Sequence, residues 1–148
     1  MRTCVKCSGI ILNKMQSTSK EFILEHLSFL TEKAELALER TSNVHCANDF
    51  LCTPSGMDLF DATTMRLQIV GELLKQIDVA TNGKLLTHYP EIAWRSVFGL
   101  RNLISHEYAA IDPIEIVNIL RLHLSPLLVV LHRIQDDLNA GKHDAIFG

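Results

Sequence analysis

An arginine, a histidine and a tyrosine lie within eight residues of one another in the segment Arg101-Asn102-Leu103-Ile104-Ser105-His106-Glu107-Tyr108. A guanidinium group holds a phosphate through parallel N–H bonds and stabilises the negative charge that develops in a transition state. An imidazole takes or gives a proton near neutral pH. Together they suit phosphodiester cleavage in RNA, where the substrate's own 2′-hydroxyl is the nucleophile and no metal or other cofactor is required.

The spacing within this segment indicates how the groups are presented. On a helix, Arg101, Ser105 and Tyr108 share one face, while Asn102 and His106 share the adjacent face, so Asn102 is placed to orient the imidazole. Arg101 and His106 are then roughly 140° apart around the helix axis. We therefore expect two copies of this helix to build one cleft across a twofold axis, with Tyr108 available to stack on a base or to bind phosphate.

The charge of the whole chain restricts this interpretation. With 148 residues and a net charge of -3, the chain lacks the general basic surface that binds nucleic acid without regard to site, so contact with RNA has to be local. Each side chain also has an ordinary structural explanation. A histidine near the end of a helix, for example, is favoured by the negative pole of the helix dipole.

Four main helices are predicted to carry the segment. The first runs from about residue 19 to 41 behind a capping box at Thr18 to Glu21, with core positions at helical spacing. The second begins near Met57 and ends by Asn82. The third starts at Pro90, and the fourth runs from Asp112 to about Leu138 with a kink at Pro126. The predicted core stripe of the second helix consists of Ala62, Met65, Ile69, Leu73 and Ile77.

These elements predict an all-α fold, an antiparallel bundle of four to five helices, because no alternating strand pattern competes. We divide the chain into a flexible extension at 1–18, the bundle at 19–140 and a tail at 141–148. The fourth helix has apolar residues on more than one face, which a single bundle core cannot cover, so a dimer interface is predicted there. The residues concerned are Ile116, Val117, Val129 and Val130.

The chain is expected to be cytoplasmic, without a membrane segment and without a bound metal. Its uncharged apolar run from Leu122 to Leu131 is shorter than the roughly 20 residues that span a bilayer, and no secretory signal is visible. Cys4 and Cys7 have no second pair at zinc spacing, so we interpret the cysteines as free thiols. A metal-binding bundle using histidines such as His123 remains an alternative.

The segment resembles the Arg-x4-His-x-Tyr motif of the HEPN superfamily (higher eukaryotes and prokaryotes nucleotide-binding), and more narrowly that of its HepT-like branch. Arg101, His106 and Tyr108 match the motif in full, and Asn102 matches its common form. The segment Ile69-Val70-Gly71-Glu72 is similar to the family's Ile-Gly-Glu segment. The resemblance covers about 19–138 and leaves the cysteines without a role.

This resemblance implies a HEPN-like bundle, a homodimer with both motifs in a shared cleft, and a metal-independent RNase toxin. Arg101 and His106 would be catalytic and Asn102 auxiliary. Glu72 would be auxiliary if it hydrogen-bonds across the bundle towards the motif, and is otherwise a solvated helix residue. The implied partner is the minimal nucleotidyltransferase antitoxin MntA, alone or in a larger assembly, which transfers AMP from ATP onto the motif tyrosine, here Tyr108.

A second function remains open. The chain could be a non-catalytic subunit that holds a nucleotide or substrate for a nucleotidyltransferase in the same cleft. The intact pair of Arg101 and His106 favours the ribonuclease, because a binding module has less need of a titratable histidine beside a phosphate-holding arginine.

Overall fold

The computed structural model describes residues 19–106 and 108–147, so the predicted extension at 1–18 lies outside the described residues. Within the described residues the regular elements are all helical, which confirms the all-α prediction. A π-helical segment, Ile119–His123, joins the last two α-helices, and 3-10 turns occur at Leu86–His88, Tyr108–Ala110 and Asp144–Ile146. The α-helices are α1 (Lys20–Arg40), α2 (Ala47–Leu51), α3 (Pro54–Ala80), α4 (Trp94–His106), α5 (Pro113–Asn118) and α6 (Leu124–Asn139).

The first predicted helix is confirmed in its limits and in its core face. α1 begins behind Ser19, whose Oγ accepts a hydrogen bond from the amide of Phe22 at 3.3 Å. Capping by a serine hydroxyl satisfies one of the amides that the first turn leaves without a partner. α1 packs against both α3 and α6. Its predicted core positions are all buried, at Ile23, Leu27, Leu30, Ala34 and Ala37.

The second predicted helix, α3, begins earlier than expected. It starts at Pro54, behind Thr53, whose Oγ1 accepts a hydrogen bond from the amide of Gly56 at 3.0 Å. Proline suits this position because the first turn has no use for its missing amide hydrogen. The predicted start near Met57 leaves Pro54 to Gly56 outside the helix, whereas these residues form its first turn.

The predicted core stripe of α3 is wrong except at Ile77, which is buried as predicted. Met65 is 57% exposed, and Ile69 and Leu73 are only partly buried. A neighbouring stripe of the same helix forms the core, and its members are Leu67, Val70, Leu74 and Ile77. Both stripes are apolar at helical spacing, so periodicity alone could not separate them. As a result, α3 carries a second apolar face beside α1 that the chain leaves partly open.

The connection between α1 and α3 contains a short helix that the sequence did not predict. Asp49 of α2 accepts hydrogen bonds from the amides of His45 and Cys46 at 2.7 and 3.1 Å, and these bonds lower the pKa of its carboxyl group. Phe50 is fully buried and meets Phe60 of α3 edge-on, with ring centroids 5.2 Å apart. A capped turn and one aromatic anchor therefore hold this connection on the bundle.

The motif helix, α4, begins at Trp94 rather than at the predicted Pro90. Pro90 lies in the turn before it, where the indole Nε1 of Trp94 donates a hydrogen bond to the carbonyl of Tyr89 at 2.9 Å. α4 packs on α3 more than on any other helix. The helix then ends at His106, so Tyr108, in the following 3-10 turn, does not continue the helical face on which it was predicted to lie.

The last predicted helix is confirmed at both ends but not in its interior. Asp112 caps α5 through Oδ1, which accepts from the amide of Ile114 at 2.9 Å, and Pro113 occupies the first turn. Instead of a simple kink at Pro126, the chain widens into the π-helical segment just before it. Pro126 has no amide hydrogen for the carbonyl one turn back, and a wider turn is one way for a helix to accommodate this loss.

The predicted dimer face of this last helix needs correction. Ile116, Val117 and Val130 are buried in the chain's own core, so they require no partner chain. Val129 differs, because it is 67% exposed. The three buried residues were assigned to the surface because the sequence does not show how the last helix packs, with α5 against α2 and α6 against α1.

The stretch from Pro113 to Asn139 has the length and the apolar composition of a helix that could cross a membrane. Its most apolar window has a mean hydropathy of 1.8. Nearly half of that window, 44%, is buried inside the bundle. Leu124, Leu131, Ile134 and Leu138 of this stretch are core residues packed with α1. We therefore interpret it as the core helix of the bundle.

Candidate functional site

Arg101 is held in place by a carboxylate from the neighbouring helix. Its Nε donates to Oε2 of Glu72 on α3, and its Nη1 donates to Oδ1 of Asn102 at 2.8 Å. About a third of each charged side chain is exposed, 35% for Arg101 and 38% for Glu72. None of the described residues accepts a hydrogen bond from Nη2. Nε and Nη1 are therefore engaged, and Nη2, at the outer edge of the guanidinium, can still hold an anion.

The approach of α4 to α3 at this point depends on Gly71. A Cβ on Gly71 would lie 2.8 Å from Cβ of Arg101 and 3.3 Å from the carbonyl oxygen of Val97. The first distance is shorter than real carbon contacts, so any side chain here would push the helices apart. Gly71 allows the helices to meet, and the next residue, Glu72, is thereby brought within bonding distance of Arg101.

Glu72 is itself fixed from its own helix. Nε2 of Gln76, one turn later, donates to Oε1 of Glu72 at 3.2 Å, which leaves Oε2 for Arg101. Both hydrogen bonds favour the charged carboxylate, and the pKa of Glu72 is lowered by the bond from Gln76 first and by Arg101 second. Gln76 carries no motif signal in the sequence, and only its position one turn after Glu72 could have suggested it.

His106 lies at the end of α4, with its imidazole exposed and no hydrogen-bond partner among the described residues. Asn102, one turn earlier, directs its amide oxygen to Arg101 rather than to the imidazole. The helix thus presents an anchored arginine and an open histidine at its outer end. The structure joins Arg101 to Glu72 and Asn102 by hydrogen bonds, and none of the hydrogen bonds among the described residues joins His106 to these three.

Tyr108 follows in the 3-10 turn just after the motif helix, and Glu107 lies outside the described residues. The backbone position alone puts Tyr108 beyond the end of α4. The turn is short, so the tyrosine is close in the chain to His106 and to the exposed end of the helix.

Two grooves border this region. A groove of about 550 Å³ runs between α1 and α3, and Glu72 forms part of its wall together with the open apolar face of α3. A second groove, of about 390 Å³, lies behind α4, where Gly71, Val97 and Leu100 face Leu124 and Pro126. The first groove includes Glu72, which holds Arg101, and the second lies between α4 and the chain around Leu124.

The loop that leads into α4 is fixed by a buried polar cluster at the other end of the bundle. The hydroxyl of Tyr89 donates to Oδ2 of Asp137 at 2.6 Å, and its oxygen accepts from Nε2 of His143 at 2.9 Å. Tyr89 and His143 are 2% and 7% exposed. Burial and the bond to Asp137 raise the pKa of the Tyr89 hydroxyl, so the group stays protonated.

Charged side chains surround this anchor cluster, which we define as Tyr89, Asp137 and His143. Arg133 stacks over the ring of Tyr89, 5.1 Å from its centroid, and pairs with Glu91. Lys142 lies 3.3 Å from Asp137. These contacts attach the residues after α6 to the loop before α4. No pattern in the sequence predicts this contact.

The histidines and cysteines of the metal alternative are dispersed. Among residues 19–106 and 108–147, no three side chains of His, Cys, Asp or Glu come together as ligands. His132 lies 2.9 Å from Glu35, and Cys46 and Cys52 are free thiols. Cys4 and Cys7 lie outside the described residues.

Comparison with protein families gives one match. Residues 30–134, well over half of the chain, match the model of the family described as ribonuclease HepT-like. No solved structure matched the chain. The chain belongs to the HepT-like ribonuclease family, and it is accordingly a ribonuclease whose substrate class is RNA, within the coarse context of a toxin and antitoxin pair.

Proposed function

We propose that this ribonuclease is a metal-independent endonuclease toxin in which Arg101 and His106 cleave RNA through attack by the 2′-hydroxyl. The observation that carries the proposal is the guanidinium of Arg101, anchored at Nε by Glu72 with its outer edge open, on the same helix as the exposed imidazole of His106. The phosphate-holding and the proton-transferring group are both accessible from solvent. We expect the protein to act in the cytoplasm.

The proposed reaction needs no group beyond these side chains and the RNA. His106 accepts the proton of the 2′-hydroxyl while the O2′ atom attacks phosphorus and the bond from phosphorus to the 5′-oxygen breaks. Protonated His106 then gives this proton to the leaving 5′-oxygen, which produces a 2′,3′-cyclic phosphate and a 5′-hydroxyl and restores the neutral imidazole. Arg101 stabilises the charge on the phosphate oxygens, and its bond to Glu72 keeps the guanidinium oriented before substrate arrives.

We also propose that two chains supply one cleft. Arg101 and His106 lie five positions apart on one helix, roughly 140° around its axis, so a second copy can complete each half-site. Exposed apolar residues on the outer side of α5 to α6 support an association of chains: Ile114 is 58%, Leu122 63% and Val129 67% exposed. Isologous contact of such a face is the commonest route to a dimer.

Tyr108 is the proposed point of control. A minimal nucleotidyltransferase of the MntA type would transfer AMP from ATP to its hydroxyl, releasing pyrophosphate. The anionic adenylate, attached two residues after His106, would compete with RNA phosphates for Arg101. With such an enzyme and ATP supplied, we expect an adenylate mass increment that disappears in Tyr108→Phe. An increment that persists in this variant would place the modification elsewhere.

Product chemistry tests the nuclease mechanism. Purified protein in EDTA should release fragments that end in a 2′,3′-cyclic phosphate or its hydrolysis product, and an RNA with 2′-deoxy sugars at the cut sites should resist. Cleavage of the 2′-deoxy substrate, or a requirement for added divalent metal, would reject the 2′-hydroxyl mechanism. The nucleotidyltransferase-subunit alternative predicts no cleavage under any of these conditions.

A further inference from the structure

The groove between α1 and α3 has the size and the lining of a site for a partly apolar ligand. Its volume of about 550 Å³ lies within the range of small-molecule sites. Its apolar wall is formed by Phe29 of α1 with Met65, Ile69 and Leu73 of α3. Phe29 is 47% and Met65 57% exposed, so an aromatic ring and a thioether are available at the surface. Such surfaces stack against planar rings.

Polar groups line the same groove. His26 is 8% exposed, and its Nδ1 lies 3.0 Å from the carbonyl oxygen of Phe22. Because a carbonyl only accepts, the neutral ring carries its proton on Nδ1, and Nε2 remains an acceptor. Glu25 is exposed on the rim and forms no ion pair within the part of the chain that the structure describes. The groove therefore offers acceptors to a ligand that presents N–H donors.

The position of the groove connects it with RNA. Glu72 lines the groove and also binds Arg101, so the groove lies next to the proposed phosphate site. Lys33 does not line the groove, but its Nζ lies 4.8 Å from the centroid of the Phe29 ring. An aromatic ring with a cation beside it is the combination that holds a base and its backbone in single-stranded nucleic acid.

We propose that this groove is a base subsite for the nucleotide next to the scissile phosphate, and that Glu25 makes it selective for guanine over uracil; the assignment rests on the proposed ribonuclease function. The carboxylate of Glu25 accepts from the imino and amino groups of guanine together. Uracil offers one imino group between two carbonyl oxygens, which a carboxylate repels. Phe29 supplies the stacking surface, and Glu72 remains paired with Arg101.

Cleavage-site mapping on an RNA of mixed sequence tests the selectivity. The wild-type full chain should cut with at least tenfold preference for guanosine over uridine at one position next to the cut. In Glu25→Gln this preference should fall below threefold, whereas Glu32→Gln, an exposed glutamate of α1 outside the groove, should leave it unchanged. Phe29→Ala should lower kcat/KM roughly tenfold or more for all RNAs, because it removes the stacking surface. Equal cutting beside guanosine and uridine in the wild type would overturn the proposal.

Nucleotide binding separates this proposal from the nuclease mechanism. Guanosine monophosphate should shift the methyl NMR signals of Met65 and Ile69 at lower concentration than uridine monophosphate, whether or not the chain cleaves RNA. Shifts without cleavage would retain the subsite and reject the nuclease mechanism, and cleavage without shifts would do the reverse. If Ile69→Glu instead converts a dimer into monomers, the groove is an interface with a second copy and the subsite is rejected.

Discussion

The polar side chains at the two ends of the bundle differ in how fully they are hydrogen-bonded. In the anchor cluster, Tyr89, Asp137 and His143 are bonded to one another, and the tyrosine and histidine are buried. At the outer end of α4, the guanidinium of Arg101 is anchored through Nε and Nη1, and His106 is open to solvent. Titratable groups that satisfy one another stabilise a fold, whereas groups left with unused hydrogen-bonding capacity are available to a ligand. This contrast assigns stability to one end and chemistry to the other.

The largest expected effect on activity comes from a substitution at the outer end of α4. Arg101→Ala should lower RNA cleavage by roughly 10²- to 10³-fold, because it removes the charge that stabilises the transition state. The unfolding free energy should change by less than about 1 kcal/mol, since the pair with Glu72 is partly exposed. Arg133→Ala, which removes the arginine beside the anchor cluster, should leave cleavage unchanged. Equal loss of cleavage in both variants would contradict the assignment of the chemistry to the outer end of α4.

A pair of glycines tests how α4 is held on α3. Gly71→Ala should destabilise the chain by about 1–3 kcal/mol, because its Cβ would collide with that of Arg101. It should also reduce cleavage by displacing the guanidinium. Gly99→Ala, on the motif helix α4 with open space around its Cβ, should stabilise the chain by up to about 1 kcal/mol. Chemical denaturation of both variants measures the difference, and equal effects would contradict the close approach at Gly71.

The anchor cluster should affect stability without affecting chemistry. Tyr89→Phe removes the hydroxyl shared by Asp137 and His143, and we expect a loss of about 1–3 kcal/mol in the free energy of unfolding. RNA cleavage by the folded variant should remain at the wild-type rate. A tenfold or larger fall in cleavage with little change in stability would show that this end of the bundle takes part in the reaction.

A smaller effect on the free energy of unfolding is expected from a change in pH. Burial, and secondly the neighbouring His88, lower the pKa of His143 below its ordinary value of 6.5, while Asp137 acts in the opposite direction. The folded chain therefore favours the neutral ring. The stability from this preference is present above pH 6.5 and is lost as the pH falls below it. The unfolding free energy should decrease from pH 7 to pH 5, and the decrease should be smaller in His143→Gln.

Much of the fold could be predicted from the sequence, because caps and periodic apolar positions act locally. The limits of α1 and the cap at Asp112 followed from such signals. The choice between two apolar stripes on α3 did not, since it depends on which neighbours α3 meets. The π-helical segment before Pro126 likewise could not be predicted, since it depends on how the packed helix accommodates the backbone hydrogen bond that proline lacks.

The candidate site divides in the same way. Arg101, Asn102, His106 and Tyr108 were recognisable because they lie close together in the chain. The contact between Glu72 and Arg101 was one of two interpretations until the helices were placed side by side. Gln76 and the anchor cluster were missed, because the first has no distinctive residue type and the second joins residues about fifty positions apart.

The most direct test of the central claim compares two histidines at the two ends of the bundle. RNA cleavage in EDTA should be abolished in His106→Ala and retained in His88→Ala, while both variants keep the wild-type melting temperature within a few degrees. His88 stacks on the ring of His143 in the anchored region, so it controls for the loss of an exposed imidazole. Cleavage by His106→Ala at the wild-type rate would contradict the assignment of chemistry to the end of the motif helix.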